Sequence, residues 1–246
     1  MPLPRLRQVA LAAHDLHVTS KALQETFGWP EPFHDPGVGE FGLQNSVFAA
    51  GDTFLEVVSP VKPGTTAGRY LERRGGDTGY MAIFQVEDVH EARRRAAAER
   101  LRVVWSVDLP DVAGTHLHPK DTPGAIVSLD WADPPETWRW AGPDWTGTAT
   151  PNAAGSIKGL VIEVKDPALA AQRWAAAVGL GAAGDGDVAE VDLAAAQQFL
   201  RFSRTRGDGA EGIAEIWFEQ GDGAAPPETE IAGVRFVVGR GGWEGR

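Results

Sequence analysis

Cysteine is absent from all 246 residues. That single absence removes thiol nucleophiles, thiolate metal sites and disulfide staples. Long apolar runs are missing as well: none approaches the roughly 20 residues of a membrane span, and no signal-peptide core opens the chain. Positive charge is scarce, with 23 Lys and Arg against 34 Asp and Glu and a formal net charge of −11. A nucleic-acid partner requires a basic stripe that displaces counterions from phosphates. The cationic runs from Arg69 to Arg74 and from Arg93 to Arg95 are short and interleaved with acids, so they read as solvated helix faces. There is no GxSxG elbow, HExxH, Walker loop or dinucleotide fingerprint. The Gly-rich patches lack the strand–helix context of a phosphate cradle and read as turns. The composition therefore leads us to expect a soluble, cytoplasmic protein with neither a nucleic-acid nor a membrane partner.

What is present is a 43% hydrophobic content, ordinary for a globular chain of one large or two small domains. LRQVALAA reads as a strand with Leu6, Gln8, Ala10 and Ala12 on one face. Asp15 can cap a helix that ends near Phe27, with Gly28 behind it. Two β-rich runs then meet at Gly51-Asp52, a hairpin turn. From Gly79 the order begins again: GYMAIFQV, a helix capped by Asp88, and three further strands. Residues 5–60 and 79–132 thus share one order of strand, helix and three strands. Residues 133–154, with Trp138, Trp140 and Trp145, read as a linker whose tryptophans pin it to a surface or wall a planar ligand. IKGLVIEV, a helix started by Asp166-Pro167 and closed by Gly179, and two more strands form a third unit. The fourth, from EGIAEIWFEQGD, has GAAPPETE in place of a helix. This is an internal repeat, four units in two pairs. The expected fold class is α+β, with repeated βαβββ units forming curved mixed sheets in two lobes, residues 1–132 and 155–246.

Within the hairpin, Phe54, Glu56 and Val58 share one strand face. An acid between apolar neighbours is either an edge charge or a buried site residue; burial against Phe54, Val58 and Met81 would raise its pKa toward a range useful in acid–base chemistry. Gln8, facing the same side, is expected to hydrogen-bond Glu56 or orient a ligand.

RLRQVALAAHDL, TFLEVVSP, GYMAIFQVEDV and HPKDTPGAIVSLDW resemble the signature strands of the vicinal oxygen chelate superfamily, which includes glyoxalase-, methylmalonyl-CoA epimerase-, extradiol dioxygenase- and bleomycin-resistance-like proteins. The resemblance implies two glyoxalase-like lobes and a cleft that, in family enzymes, holds a divalent metal on His, Glu or Gln from four strand positions. Those positions fall here on Gln8, Glu56, Met81 and Ser128. A thioether suits soft ions and a neutral hydroxyl binds weakly, so half the set is poor. In the second lobe they fall on roughly Gly159, Arg201, Glu215 and Val237. Both clefts are expected to be metal-free, with Gln8, Glu56, His116 and His118 as the residual metal candidates; His116 and His118, two apart on one strand face, could act jointly. The expected cleft residues are Gln8, Phe54, Glu56, Met81, His118 and Ser128. The leading expectation is a protein, monomer or homodimer, that holds a small organic molecule, in the manner of the antibiotic-sequestering relatives. The rival is a lyase or isomerase, glyoxalase- or epimerase-like, with Glu56 as general base. A third expectation makes the C-terminal half a degenerate scaffold.

Overall fold

The computed structural model describes residues 2–143, 145, 153–205, 209–224, 226 and 228–239. The first unit comprises β1 (Arg5–Ala12), α1 (Leu16–Phe27), β2 (Leu43–Ala50), β3 (Thr53–Pro60) and a short α2 (Thr66–Arg74). The second comprises β4 (Thr78–Gln85), α3 (Val89–Ala98), β5 (Val103–Asp108), β6 (Val112–Leu117) and β7 (Ile126–Ala132). The C-terminal half supplies β8 (Ala154–Val164), α4 (Pro167–Val178), β9 (Val188–Leu193), β10 (Gln198–Arg204), β11 (Gly212–Gln220), β12 (Glu228–Ile231) and β13 (Val234–Gly239). The fold is α+β, with two mixed sheets in two lobes: seven strands in the order β2-β3-β1-β4-β7-β6-β5, and six in the order β12-β13-β11-β8-β10-β9.

Local chemistry sets the helix limits. The Asp15, Asp88 and Asp166 carboxylates accept the free backbone N–H groups of Val18, of His90 and Glu91, and of Leu169. Gly28 and Gly179 close α1 and α4 at φ of 67° and 78°, a left-handed conformation that costs glycine nothing.

The first unit departs from the expected order. Two strands, not three, follow α1, because the segment between them holds Pro30, Pro32 and Pro36, which have no N–H for a ladder. It contributes one bridge, Phe33 to Val47, and a 3₁₀ turn over Pro36–Phe41.

A second departure lies in β1. Its pairing with β4 runs Leu6↔Phe84 and then Gln8↔Ile83, so Arg7 is an extra residue, a bulge. Leu6 therefore sits in the same apolar cluster as Val9 and Leu11, and not with Gln8 and Ala10 as strict alternation would place it.

The helix-bearing face of the first sheet packs into one apolar core that continues through both lobes, from Leu6, Val9 and Phe84 to Trp174, Phe202 and Phe218. Trp174 of α4 lies edge-on to Phe84 of β4 and Phe202 of β10, with centroids at 6.1 and 5.4 Å. Gln198 of β10 reads the other lobe as a strand would: its Oε1 accepts from Leu6 N at 2.9 Å and its Nε2 donates to Leu6 O at 2.8 Å, while Nε2 also donates to Ile157 O of its own sheet at 2.8 Å.

The opposite face of the first sheet is concave. Laid flat, seven strands would hold their edges about 29 Å apart. Yet Phe41, in the 3₁₀ turn leading into edge strand β2, meets Trp105 of edge strand β5 at a centroid distance of 5.5 Å. This curl makes a cleft, and the segment after β7 runs into it, with Trp138 fully buried among Phe54, Val58, Met81 and Ile83.

Candidate functional site

The strand register builds the cleft. β1 and β4 are antiparallel, with Val9 opposite Ala82, and the neighbouring strands carry Glu56 beside Ala10 and Ser128 beside Ile83. A local two-fold through the Val9–Ala82 pair therefore exchanges Gln8 with Met81 and Glu56 with Ser128. All four side chains are buried, at 2%, 8%, 7% and 0% exposure respectively.

Glu56 sits in a closed hydrogen-bond chain. Gln8 Nε2 donates to Glu56 Oε2 at 2.9 Å, and Asn45 Nδ2 donates to Oε1 at 2.7 Å. The amide orientations are set by their other partners, since Trp138 Nε1, a pure donor, gives its proton to Gln8 Oε1 at 2.6 Å, and Asp35 N donates to Asn45 Oδ1 at 2.9 Å. Desolvation raises the Glu56 pKa above the usual carboxylate range; the bonds from Asn45 and Gln8 pull partly against it, and Asp35 adds a small upward push.

On the other side of the two-fold, Met81 lies in the apolar cluster, and the Ser128 hydroxyl donates to Asp130. Asp130 is a second buried carboxyl, which also accepts from Trp140 Nε1 at 2.7 Å. Burial pushes its pKa up to about 6 against the hydrogen bonds of Ser128 and Trp140.

At the four positions, the oxygens a hard divalent cation would use are engaged by the protein itself. Both Glu56 oxygens and the Gln8 carbonyl are occupied by protein donors, Met81 offers a thioether, and Ser128 spends its proton on Asp130. No group of three or more His, Asp or Glu side chains that could hold a metal occurs among the described residues.

The expected histidine pair is not formed. β6 ends at Leu117, so His118 sits in the turn, where its Nδ1 accepts the Lys120 backbone N–H at 3.1 Å. His116 stays on β6, opposite Ser128, and packs on Trp105 at 4.3 Å and on Phe41 at 6.4 Å. Desolvation by burial disfavours the imidazolium and lowers its pKa to about 4. The strand alternation that suggested the pair stops one residue too soon.

Phe54 packs against the strap, its ring 7° from parallel with Trp138 at 6.3 Å and edge-on to Trp145 at 4.9 Å. Three site residues escaped sequence reasoning. Asn45 carried a signal, being opposite Val58 and so on the Glu56 face. Asp130 carried one too, two residues beyond Ser128 on the same face. Arg7 carried none, because only the bulge in β1 turns it to the cleft.

Among the described residues, the matching positions of the second lobe are engaged differently. A Cβ at Gly159 would lie 2.5 Å from the Phe199 ring, Arg201 pairs with Glu190 at 2.9 Å, and Glu215 is held by Arg235 and by Trp217 Nε1. Val237 is buried. No described helix is long and apolar enough to cross a membrane.

Comparison with known proteins adds a relative and two folds. No family model matches the chain. An ethylmalonyl-CoA/methylmalonyl-CoA epimerase from Cereibacter sphaeroides is 28% identical over 134 residues, which is 51% of this chain and 96% of that protein. A hypothetical protein from Staphylococcus aureus superposes with a TM-score of 0.69 over 97% of this chain and 100% of its own, at 10% identity. A triple-mutant 4-hydroxymandelate synthase from Streptomyces coelicolor superposes with a TM-score of 0.65 over 89% of this chain and 71% of its own, at 20% identity. The two superpositions establish the two-lobe architecture.

Proposed function

We propose that this chain is a vicinal oxygen chelate superfamily protein that holds a small organic molecule on the concave face of its N-terminal lobe, without a divalent metal at the four strand positions. The observation that supports it is the chain Asn45–Glu56–Gln8–Trp138, which spends on protein partners the oxygens an ion would need. Elemental analysis for Mn, Fe, Co, Ni, Cu and Zn, paired with thermal melts with and without chelator, tests it. Near-stoichiometric metal and a melt lowered by chelator would refute it. Unchanged melts would direct work to a screen of small molecules for thermal stabilisation.

A second reading is favoured by a specific observation. Glu56 is desolvated, with its pKa raised, at the head of an apolar cleft, as a general base requires. The 28% identical relative is an epimerase for methylmalonyl-CoA and ethylmalonyl-CoA, a reaction that removes and returns a proton beside a carbonyl. On this reading the chain exchanges the α-proton of such a thioester with solvent deuterium, and Glu56→Gln abolishes exchange while leaving binding intact. Absence of exchange in the wild-type protein would eliminate it.

A further inference from the structure

Arg7 is a buried cleft cation with two of its N–H groups unspent among the described residues. Its guanidinium is 1% exposed, and arginine stays protonated at any physiological pH. It lies between two rings, its Cζ 5.2 Å from the centroid of Phe54 and 5.5 Å from that of Trp138. Nη2 donates to the Glu136 backbone oxygen at 3.0 Å, but neither Nε nor Nη1 makes a hydrogen bond to any described residue. The carboxylate of Asp52 stands 3.9 Å from Nη1, beyond hydrogen-bond reach, and is already bonded to Arg5 and to the Ser156 hydroxyl. A buried cation normally has its proton donors satisfied, because desolvating it costs several kcal/mol that only close partners offset. The two partners Arg7 does have on the strap after β7, the Glu136 carbonyl and the Trp138 ring, are both neutral, and Trp138 is held to the sheet by a single hydrogen bond to Gln8.

We propose that Arg7 is the anion-recognising residue of the N-terminal cleft, that its ligand is a small, flat organic carboxylate, and that the strap residues Glu136 and Trp138 keep the ligand's place. This rests on the reading of the concave face as a small-molecule site, and names the class of molecule. The guanidinium presents parallel N–H groups that match a carboxylate in bidentate fashion. Trp138 is near-parallel to Phe54, so its departure would leave a slot for a planar body against Phe54, with the charge of the ligand on Arg7 and the freed Gln8 carbonyl beside it. Binding exchanges a neutral carbonyl for a charge-assisted contact, and the strap competes with the ligand for the same two surfaces.

Isothermal titration with benzoate and its neutral isostere benzamide tests this on the full-length protein. Benzoate is expected to bind at least tenfold more tightly than benzamide, the difference expected of a hydrogen bond to a charged group. Arg7→Gln removes that preference and leaves benzamide unaffected; Arg7→Lys, a point charge without the fork, retains part of it. Trp138→Ala, which weakens the strap, tightens benzoate binding. Equal affinities for the two probes in the wild-type protein overturn the assignment of Arg7 but leave the small-molecule reading standing. Benzoate binding that survives Arg7→Gln has the same consequence. Failure of both probes to bind wild-type and Trp138→Ala protein overturns this proposal and the reading beneath it. Should Arg7→Gln fail to fold, the benzoate–benzamide preference of the wild-type protein and its reduction in Arg7→Lys decide the question.

Discussion

Trp138 gives its indole proton to Gln8 across 130 positions of sequence, and with the bonds of Arg7 to Glu136, Gln85 to Pro135 and Trp140 to Asp130 it ties the strap between the lobes to the floor of the cleft. Replacement by Phe keeps a ring on Phe54 and Arg7 but leaves the Gln8 carbonyl buried and unpaired. A destabilisation of about 1–3 kcal/mol is expected for Trp138→Phe, and about 3–5 kcal/mol for Trp138→Ala, which also leaves a cavity. Urea unfolding measures both. A Trp138→Phe variant as stable as the wild-type protein would show that the indole hydrogen bond contributes nothing to holding the strap.

Asp130 and His116 have opposed titrations on neighbouring strands of the concave face. The folded Asp130 carboxyl titrates near pH 6 against 3.8 unfolded, so the folded state binds its proton more tightly and stability falls as pH rises from about 4 to 6. The displacement corresponds to about 3 kcal/mol. His116 is lowered from 6.5 to about 4, so between those values the unfolded state binds more protons and stability rises with pH. In the wild-type protein the two slopes largely cancel. Asp130→Asn unmasks His116, and its melting temperature should drop steadily on acidification from pH 6.5 to 4 relative to wild type. His116→Gln unmasks Asp130 and should show the reverse, a relative gain on acidification. Parallel melting curves for all three proteins across this window would contradict the assignment.

Gln198 joins the lobes through two hydrogen bonds to the Leu6 backbone, and a third ties it to Ile157 of its own sheet. Its replacement by Ala orphans Leu6 N, Leu6 O and Ile157 O, and about 3 kcal/mol should be lost at roughly 1 kcal/mol per bond. Because the two bonds to Leu6 link β10 to β1, equilibrium unfolding of Gln198→Ala followed by urea should also become less cooperative, with a lower m-value. A variant with wild-type midpoint and slope would place the coupling of the lobes in the apolar core alone.

Much of this fold was legible because it rests on short-range rules. Asp15, Asp88 and Asp166 cap helices, Gly28 and Gly179 close them, and the two-residue period put Glu56 with Phe54 and Gln8 with Ala10. The Gln8–Glu56 bond follows from that period. What was not legible depends on departures from it or on distant chain. The bulge at Arg7 reverses the face of Leu6 and brings an arginine into the cleft, and no local residue announces it. The strap's route into the cleft depends on the curl of a sheet whose edges meet at Phe41 and Trp105. The end of β6 at Leu117 separates His116 from His118, and a strand end is the least certain feature of any periodic pattern.

The local two-fold makes the metal question testable by addition. It exchanges Gln8 with Met81 and Glu56 with Ser128, so one half of the floor carries two oxygen donors and the other half none that an ion would use. The double variant Met81→His, Ser128→Glu supplies an imidazole and a carboxylate at the two poor positions, one turn of the two-fold away from Gln8 and Glu56. Burying the new polar groups costs some stability without metal, and a bound ion would compete with the N–H donors that now hold Glu56. With Zn²⁺ or Mn²⁺ present, the variant should melt at a higher temperature, reversed by chelator, by an amount that grows with metal concentration according to mass action. The wild-type protein and each single variant should respond little, since two or three donors with neighbours already bonded hold a hard ion weakly. No metal response in a folded double variant would mean that the four positions do not converge, and that the cleft has been remodelled beyond the loss of two ligands.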